Sequence, residues 1–114
     1  MASDSLPLLK GTLDLLVLKA LSLGPRHGFA IATWLEERSR GEMEVEDSAL
    51  YQSLHRLEER RLVQATWGVT GYNRQARFYR LTGGGQARLR AETETWQRYA
   101  RVVGRLLALS AETA

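Results

Sequence analysis

DSALYQSLHRLEER, the segment from Asp47 to Arg60, decides the fold of this chain. Leu50, Leu54 and Leu57 recur at helical spacing, so the segment is predicted to form an amphipathic helix with one apolar stripe. The other faces carry polar or amphipathic side chains, namely Ser48, Tyr51, Gln52, His55, Arg56 and Glu59. A helix with this pattern packs by one side and presents the other side outward.

A β-hairpin is predicted directly after this helix. Two segments with strand-forming residues, Leu62 to Trp67 and Arg77 to Leu81, flank a turn that is rich in Gly, Asn and Arg. An amphipathic helix followed by a hairpin with a basic tip is typical of the winged helix-turn-helix. We call the predicted helix the recognition helix and the hairpin the wing.

The first predicted helix, residues 12–23, is apolar on nearly every side. Leu13, Leu16, Val17, Ala20 and Leu21 form one stripe, and Leu15 and Leu18 lie on the remaining surface. A helix that is apolar all round is buried all round. Because the core of a small domain covers one side only, Leu15 and Leu18 are expected to meet a second subunit.

A second helix is predicted for residues 27–39, after the break at Gly24-Pro25 and before Gly41. Its expected packing residues are Phe29, Ile31, Ala32 and Leu35.

Residues 42–46 alternate between acidic and apolar side chains, which indicates a short strand along the wing. Asp47 or Ser48 is expected to cap the recognition helix. Capping explains these carboxylates better than a calcium loop, whose spacing and glycine are absent from the sequence.

The last predicted helix, residues 83–109, begins after Thr82 as its N-cap, with Gly83 to Gly85 as a flexible hinge. Leu89, Trp96 and Val103 repeat every seven residues, and either Tyr99 with Leu106 or Ala100 with Leu107 fills the seam between them. The helix could fold back on its own domain, but it carries more apolar surface than a three-helix domain can cover. Intermolecular packing is therefore expected, and the predicted dimerisation residues are Leu15, Leu18, Leu89, Trp96, Tyr99, Val103, Leu106 and Leu107.

This division gives a winged helix-turn-helix domain in residues 1–82, with a loosely held N-terminal arm, and a dimerisation helix in residues 83–114. The predicted fold class is mostly α with a small β-hairpin.

The 114 residues allow one small domain with one appended element, and 44% hydrophobic and 25% charged residues are ordinary for a globular protein. No apolar run approaches the roughly 20 residues of a membrane span, and a secretory pattern is lacking, so a cytoplasmic location without a membrane partner is expected.

The charge is distributed unevenly along the chain. Residues 1–47 hold 5 Lys and Arg against 8 Asp and Glu, residues 48–80 hold 6 against 2, and residues 81–114 hold 5 against 3. Positive charge is therefore concentrated on the recognition helix and the wing. Fourteen of the 16 basic residues are arginines, whose planar fork suits phosphate and guanine edges. Arginine-rich codon usage in the genome explains the excess of Arg equally well, but it does not explain the clustering.

These features predict contact with double-stranded DNA. Side chains from the first turns of a recognition helix meet base edges, and cations on its flanks and on the wing meet phosphates. The candidate residues for the groove are Ser48, Tyr51, Gln52 and His55, and those for the phosphates are Arg56, Arg60 or Arg61, Arg74 and Arg77. The alternative for each residue taken alone is an ordinary solvated surface.

Enzymatic chemistry has no support in the sequence. The two histidines, His27 and His55, have no second ligand at metal-binding spacing, and there is no cysteine, so neither a metal nor a cofactor is predicted. No serine lies in a strand-to-helix nucleophile elbow. Gly83 to Gly85 lack the spacing and the βαβ unit of a dinucleotide-binding loop.

The chain resembles the PadR family of bacterial transcriptional regulators, in its short form with one C-terminal helix. The resemblance covers about residues 8–109. It is carried by LKGTLDLLVLKAL (9–21), GPRHGFAI (24–31), ALYQSLHRLEERRLV (49–63), RFYRLTGGG (77–85) and Trp96. The chain departs from the family pattern at Phe29, where Tyr is usual, and at Gln52, where Pro is frequent. Gly83 and Gly84 also replace more helix-favouring residues.

The resemblance implies a homodimeric, DNA-binding transcriptional regulator, with a repressor as the leading hypothesis. Its two recognition helices would enter successive major grooves. Some relatives bind flat aromatic compounds between the subunits, so an aromatic effector would stack on Trp96, with Leu15 and Leu18 as walls. The alternative role of Trp96 is plain dimer packing. A different class of function, a winged-helix module that binds a partner protein without specific DNA binding, stays open.

Overall fold

The computed structural model describes residues 6–9 and 11–113 of the chain. The first five residues of the predicted N-terminal arm lie outside the described part. The elements are α1 (Thr12–Ser22), β1 (Arg26–His27), α2 (Gly28–Arg38), α3 (Asp47–Glu59), β2 (Val63–Val69), β3 (Gln75–Leu81) and α4 (Gly83–Leu107). The predicted fold class is confirmed: α3 is the recognition helix, and β2 and β3 form the wing.

Helix α1 lies at the centre of the domain, in contact with α2, α3, β3 and the start of α4. Its own chain therefore covers it on several sides. The prediction that Leu18 faces a second subunit is wrong, because this side chain is 1% exposed and belongs to the core. Leu15, in contrast, remains partly exposed. The error arose because the sequence does not show that β3 and α4 pack on α1 in addition to α2 and α3.

The sheet has three antiparallel strands in the order β1-β3-β2. Strands β2 and β3 pair from Val63 opposite Leu81 to Val69 opposite Gln75. The free edge of β3 pairs with Arg26 and His27 of β1, so the prediction of a strand at residues 42–46 is wrong. That segment is a loop that buries Val45 in the core, and the alternation reflects this anchor.

Two local predictions near α2 and α3 also need correction. Phe29 was expected in the core but is 75% exposed, because it lies in the first turn of α2, which begins only after His27. The Nδ1 atom of His27 caps this helix by accepting the backbone N–H of Ala30 at 3.2 Å. At α3, the N-cap position belongs to Glu46, so neither Asp47 nor Ser48 is the cap.

Helix α4 begins as predicted after Thr82, whose hydroxyl accepts the backbone N–H of Gly85 at 3.0 Å. The same hydroxyl donates to the carbonyl oxygen of Arg61 at 2.7 Å, at the end of α3. Gly85 is buried, and a Cβ atom there would overlap the carbonyl oxygen of Leu62. The glycines therefore form the first turn of a helix that packs tightly at Gly85, and the prediction of a flexible hinge is wrong at this point.

The remainder of α4 leaves the domain. Leu89 still packs against the core of its own chain, so core contacts account for this member of the predicted dimer seam. Farther along, Trp96, Tyr99, Leu106 and Leu107 are exposed and Val103 is partly exposed. The helix thus carries an apolar stripe that the described residues of this chain leave uncovered.

The contact at Gly85 can be tested by adding one methyl group. Gly85→Ala is expected to lower the free energy of unfolding by about 1–3 kcal/mol, because the helix must shift away from Leu62. Gly83→Ala is the matched control, since a Cβ atom at Gly83 meets open space, and it should change stability by less than about 1 kcal/mol. Urea denaturation measures both values. Equal stability of the two variants would contradict the close packing.

Candidate nucleic-acid interface

Helix α3 presents two different sides. Leu50, Leu54 and Leu57 are each fully buried in the core. The predicted contact residues on the same helix, Ser48, Tyr51, Gln52, His55 and Arg56, are exposed, as is Arg60 directly after it. The Nε2 atom of His55 lies 3.3 Å from a carboxylate oxygen of Glu59, one turn later. The structure therefore brings the predicted residues together on one outward surface.

The N-terminal half of α3 is pressed against the start of α2. The ring of Tyr51 lies over Gly28, and a Cβ atom at Gly28 would overlap the tyrosine ring and hydroxyl. A larger residue at position 28 would require the Tyr51 ring to move. The sequence prediction placed Tyr51 on the outward side of the helix but missed Gly28 as its partner. The two residues are 23 positions apart, and helical periodicity carries no information about such a pair.

The C-terminal half of α3 is tied to the wing. The Nη2 atom of Arg77 donates to Glu58 Oε2 at 2.8 Å, and the guanidinium lies 5.7 Å from the centre of the Tyr79 ring. Burial raises the pKa of Tyr79, the charge of Arg77 opposes this effect, and Glu58 and Tyr51 add to it. Arg77, predicted as a wing cation for DNA, thus also holds the wing against α3.

The tip of the wing is an ordered turn. The Thr70 hydroxyl accepts the backbone N–H groups of Tyr72 and Arg74, at 3.2 and 3.3 Å. Asn73 adopts a left-handed conformation with φ of 61°, which Asn tolerates better than most residues. Arg74 is exposed, as predicted for a phosphate contact, and Tyr72 is 89% exposed.

Two aromatic side chains of the wing were missed by the sequence prediction. Trp67 pairs with Arg77 across the hairpin and is exposed, like Tyr72. Each ring has a cationic neighbour on the hairpin, Arg77 opposite Trp67 and Arg74 two residues after Tyr72. The excess of apolar residues in a hairpin too short to bury them could have indicated this surface.

An open groove of about 1150 Å³ runs between α2 and the wing, next to α3. Its lining includes Phe29, Trp34, Tyr51, Tyr72, Arg74 and Arg77. Cationic side chains together with aromatic rings suit the charged sugar-phosphate chain of a nucleic acid.

Residues 17–91 match the PadR-like family of transcriptional regulators. The chain belongs to this family. It is similar to the crystal structure of a PadR family transcriptional regulator from Eggerthella lenta, with 31% identity, a TM-score of 0.76, and coverage of 89% of this chain and 86% of that one. A transcriptional regulator from Clostridium thermocellum shares the fold, with 21% identity, a TM-score of 0.77, and coverage of 84% and 90%. An uncharacterised protein from Lysinibacillus sphaericus is 25% identical over 89 residues, which are 78% of this chain and 82% of that protein.

The PadR-like family and its structural neighbours are transcriptional regulators and not enzymes. The chain is therefore a DNA-binding transcriptional regulator. Within the described residues, no three His, Asp or Glu side chains form a group that could hold a metal ion. The helices of the described part are all too short or too polar to cross a membrane.

A carboxylate on α1 holds the recognition helix of this PadR-like chain. Asp14 Oδ1 accepts the Ser53 hydroxyl at 2.5 Å and Arg56 Nη2 at 2.7 Å, and Asp14 Oδ2 accepts Arg56 Nε at 3.3 Å. Ser53 is fully buried. Arg56, which the sequence predicts as a phosphate contact, is thus engaged by a carboxylate of its own chain. The sequence gives no indication of this cluster, because its members are 39 and 42 positions apart.

The charge state of Asp14 follows from these contacts. Burial raises the pKa of Asp14, but hydrogen bonds from Arg56 and Ser53 and the charges of Arg56 and Arg60 outweigh burial, so the pKa lies below its ordinary value of 3.8. The hydrogen bond to Asp14 raises the pKa of Arg56, and this effect outweighs the partial desolvation that lowers it. Both groups are therefore charged at neutral pH.

The predicted effector site changes in one respect. Leu18 is a core residue and cannot line a pocket between subunits. Leu15 is partly exposed on α1, and Trp96 is 44% exposed on α4. Two of the three predicted residues are therefore accessible in the single chain.

The contribution of Asp14 to stability should depend on pH. A lowered pKa means that the folded state favours the ionised carboxylate, so this stabilisation is full above pH 3.8 and is lost as the pH falls through the lower, folded-state value. Asp14→Asn should therefore reduce the free energy of unfolding at pH 7, and the difference from the wild type should shrink below about pH 3.8. Urea denaturation over a pH series measures this. Glu36→Gln, on the exposed surface of α2, is the control for the change in charge, and a deficit of Asp14→Asn that stays constant with pH would contradict the account.

Proposed function

We propose that the protein is a sequence-specific repressor that binds operator DNA as a homodimer. The observation that carries this proposal is the orientation of α3, whose leucines are buried while Ser48, Gln52 and His55 are exposed beside the wing. A Gln side chain can bind adenine with two hydrogen bonds, and Ser or His can donate to base edges in the major groove. The site of action would be the cytoplasm, where bacterial DNA is located.

The phosphate contacts would come from the two ends of this surface. Arg60 follows α3 and Arg74 lies at the tip of the wing, and both are exposed. Residues 48–80 carry 6 basic against 2 acidic side chains. Such a surface provides the non-specific electrostatic attraction that brings a protein to DNA and orients it there.

The homodimer is supported by the apolar stripe of α4. This helix has 25 residues and is therefore about 37 Å long, and Tyr99, Leu106 and Leu107 are exposed along it. A contiguous apolar stripe of this kind marks a protein contact.

Two α3 helices in successive major grooves would require half-sites about 34–36 Å apart. A dimer seated in this way would occlude a promoter, which is the basis for proposing repression.

A small aromatic effector is a further part of the proposal. Trp96 offers a partly exposed indole for stacking, and Leu15 offers an apolar wall on α1. Trp96 serves plain dimer packing in the alternative account. An aromatic compound that quenches indole fluorescence in the wild type but not in Trp96→Phe, and that releases DNA, would support the effector role. Dimer loss in Trp96→Ala without any effect of such compounds would support packing alone.

The proposed DNA binding predicts a clear preference for the protein's own operator. Fluorescence anisotropy should show tighter binding to DNA from upstream of its gene than to random duplex of equal length. The binding constant should fall with salt at a log–log slope of about −0.9 per phosphate neutralised. Gln52→Ala should weaken operator binding by about 1–3 kcal/mol for each half-site while binding to random DNA is retained. Equal affinity for both duplexes in the wild type would refute specific regulation and favour the protein-interaction module.

The proposed dimer can be tested by placing a charge on the apolar stripe of α4. Val103→Glu should convert a dimer into a monomer in sedimentation equilibrium, because an unpaired carboxylate would be buried in the interface. Ala91→Glu adds the same charge at an exposed position outside the stripe and should leave the dimer intact. A monomeric wild type, or a dimer that tolerates Val103→Glu, would refute the proposed interface.

A further inference from the structure

We propose that Asp14, Ser53 and Arg56 form a lock that fixes the rotation of α3 about its axis, so that Arg56 serves DNA binding as a positioning residue rather than as a phosphate contact. This inference rests on the proposed reading of an operator by α3. It adds Asp14, a residue of α1, to the determinants of sequence preference.

The lock acts through two points on one helix. Ser53 and Arg56 lie three residues apart, which places them one turn from each other on the same side of α3. Both donate to the same carboxylate. The buried leucines determine which side of α3 faces the core, but apolar contacts have little directionality. The forked bond between Arg56 and a carboxylate has a defined geometry, so the three residues fix the angle that the leucines leave approximate.

The required precision is high at the base edges. Side-chain ends lie roughly 5–6 Å from a helix axis, so a rotation of about 20° would move them by about 2 Å. Good N–H···O hydrogen bonds span only roughly 2.7–3.2 Å. A small rotation of α3 would therefore break base contacts of Ser48 and Gln52, while contacts of flexible arginines with phosphates would persist.

The geometry of Arg56 favours positioning over phosphate binding. Two of its nitrogen atoms, Nε and Nη2, already donate to Asp14. The side chain of Asp14 is 17% exposed and is fixed by the buried Ser53 hydroxyl as well. A phosphate would have to compete with a counter-ion that is in place before DNA arrives. The guanidinium groups of Arg60 and Arg74 take part in no salt bridge or hydrogen bond among the described residues, and they are better placed for phosphates.

Measurement of operator and random DNA binding over a range of salt concentrations tests the lock. In Asp14→Asn the amide oxygen can still accept the Ser53 hydroxyl, but the pair with Arg56 is lost. Arg56→Lys keeps the charge but loses the fork. Each variant should lose about tenfold or more of its preference for the operator, the equivalent of roughly one base contact. In Arg56→Lys the salt slope and the affinity for random DNA should be unchanged. In Asp14→Asn, which frees Arg56 from its counter-ion, both should stay the same or rise, and the double variant should lose no more operator preference than either single one.

Matched controls separate the outcomes. Arg60→Ala should lower the steepness of the salt slope by about 1.8, because the homodimer loses one phosphate contact in each subunit, at about 0.9 per phosphate. Glu36→Gln changes the charge as Asp14→Asn does and should bind like the wild type, and urea denaturation verifies that each variant is folded. The lock is overturned if Asp14→Asn and Arg56→Lys keep wild-type preference, or if Arg56→Ala reduces the salt slope as Arg60→Ala does. A wild type without operator preference would instead overturn the proposed function, and the lock with it.

Discussion

The structure depends on how α3 is held, because this helix must face the core with one side and remain exposed on the other. Leu50, Leu54 and Leu57 are fully buried, and their burial supplies most of the attachment through the hydrophobic effect. The carboxylate of Asp14 adds directional bonds from Ser53 and Arg56. Burial of apolar side chains gives stability, whereas hydrogen bonds to a single fixed carboxylate give a defined orientation. A surface that recognises base edges requires both.

Two close approaches at glycine place the neighbouring elements around α3. At Gly28, the start of α2 lies against the Tyr51 ring, and at Gly85 the start of α4 lies against the Leu62 carbonyl group. These contacts give a physical reason for glycine at positions 28 and 85. Helix α1 contacts both α3 and α4, so it joins the two helices that these glycines position.

Helical and strand periodicity predicted the elements well, because it reflects contacts within a few residues. The leucine stripe of α3, the hairpin and the Thr82 cap were all found from local patterns. The errors concern tertiary neighbours. Leu18 is covered by distant parts of its own chain, and Phe29 lies in the first turn of α2 on the exposed side of that helix. Strand β1 occupies the edge of the sheet that was predicted for residues 42–46. The Asp14 cluster and the Gly28–Tyr51 contact join residues far apart in sequence. A single sequence offers no pattern from which such pairs could be derived.

The outward face of α3 as a DNA-binding surface is tested most directly by cross-linking from single positions. The sequence contains no cysteine, so Gln52→Cys and Arg101→Cys each provide one unique thiol for a photoactivatable group. Arg101 is exposed on α4, away from α3. Strong cross-links are expected from position 52 to a few neighbouring bases of the operator, and none above background from position 101. Absence of base cross-links at position 52, or equal yields from both positions, would contradict this role of the α3 face.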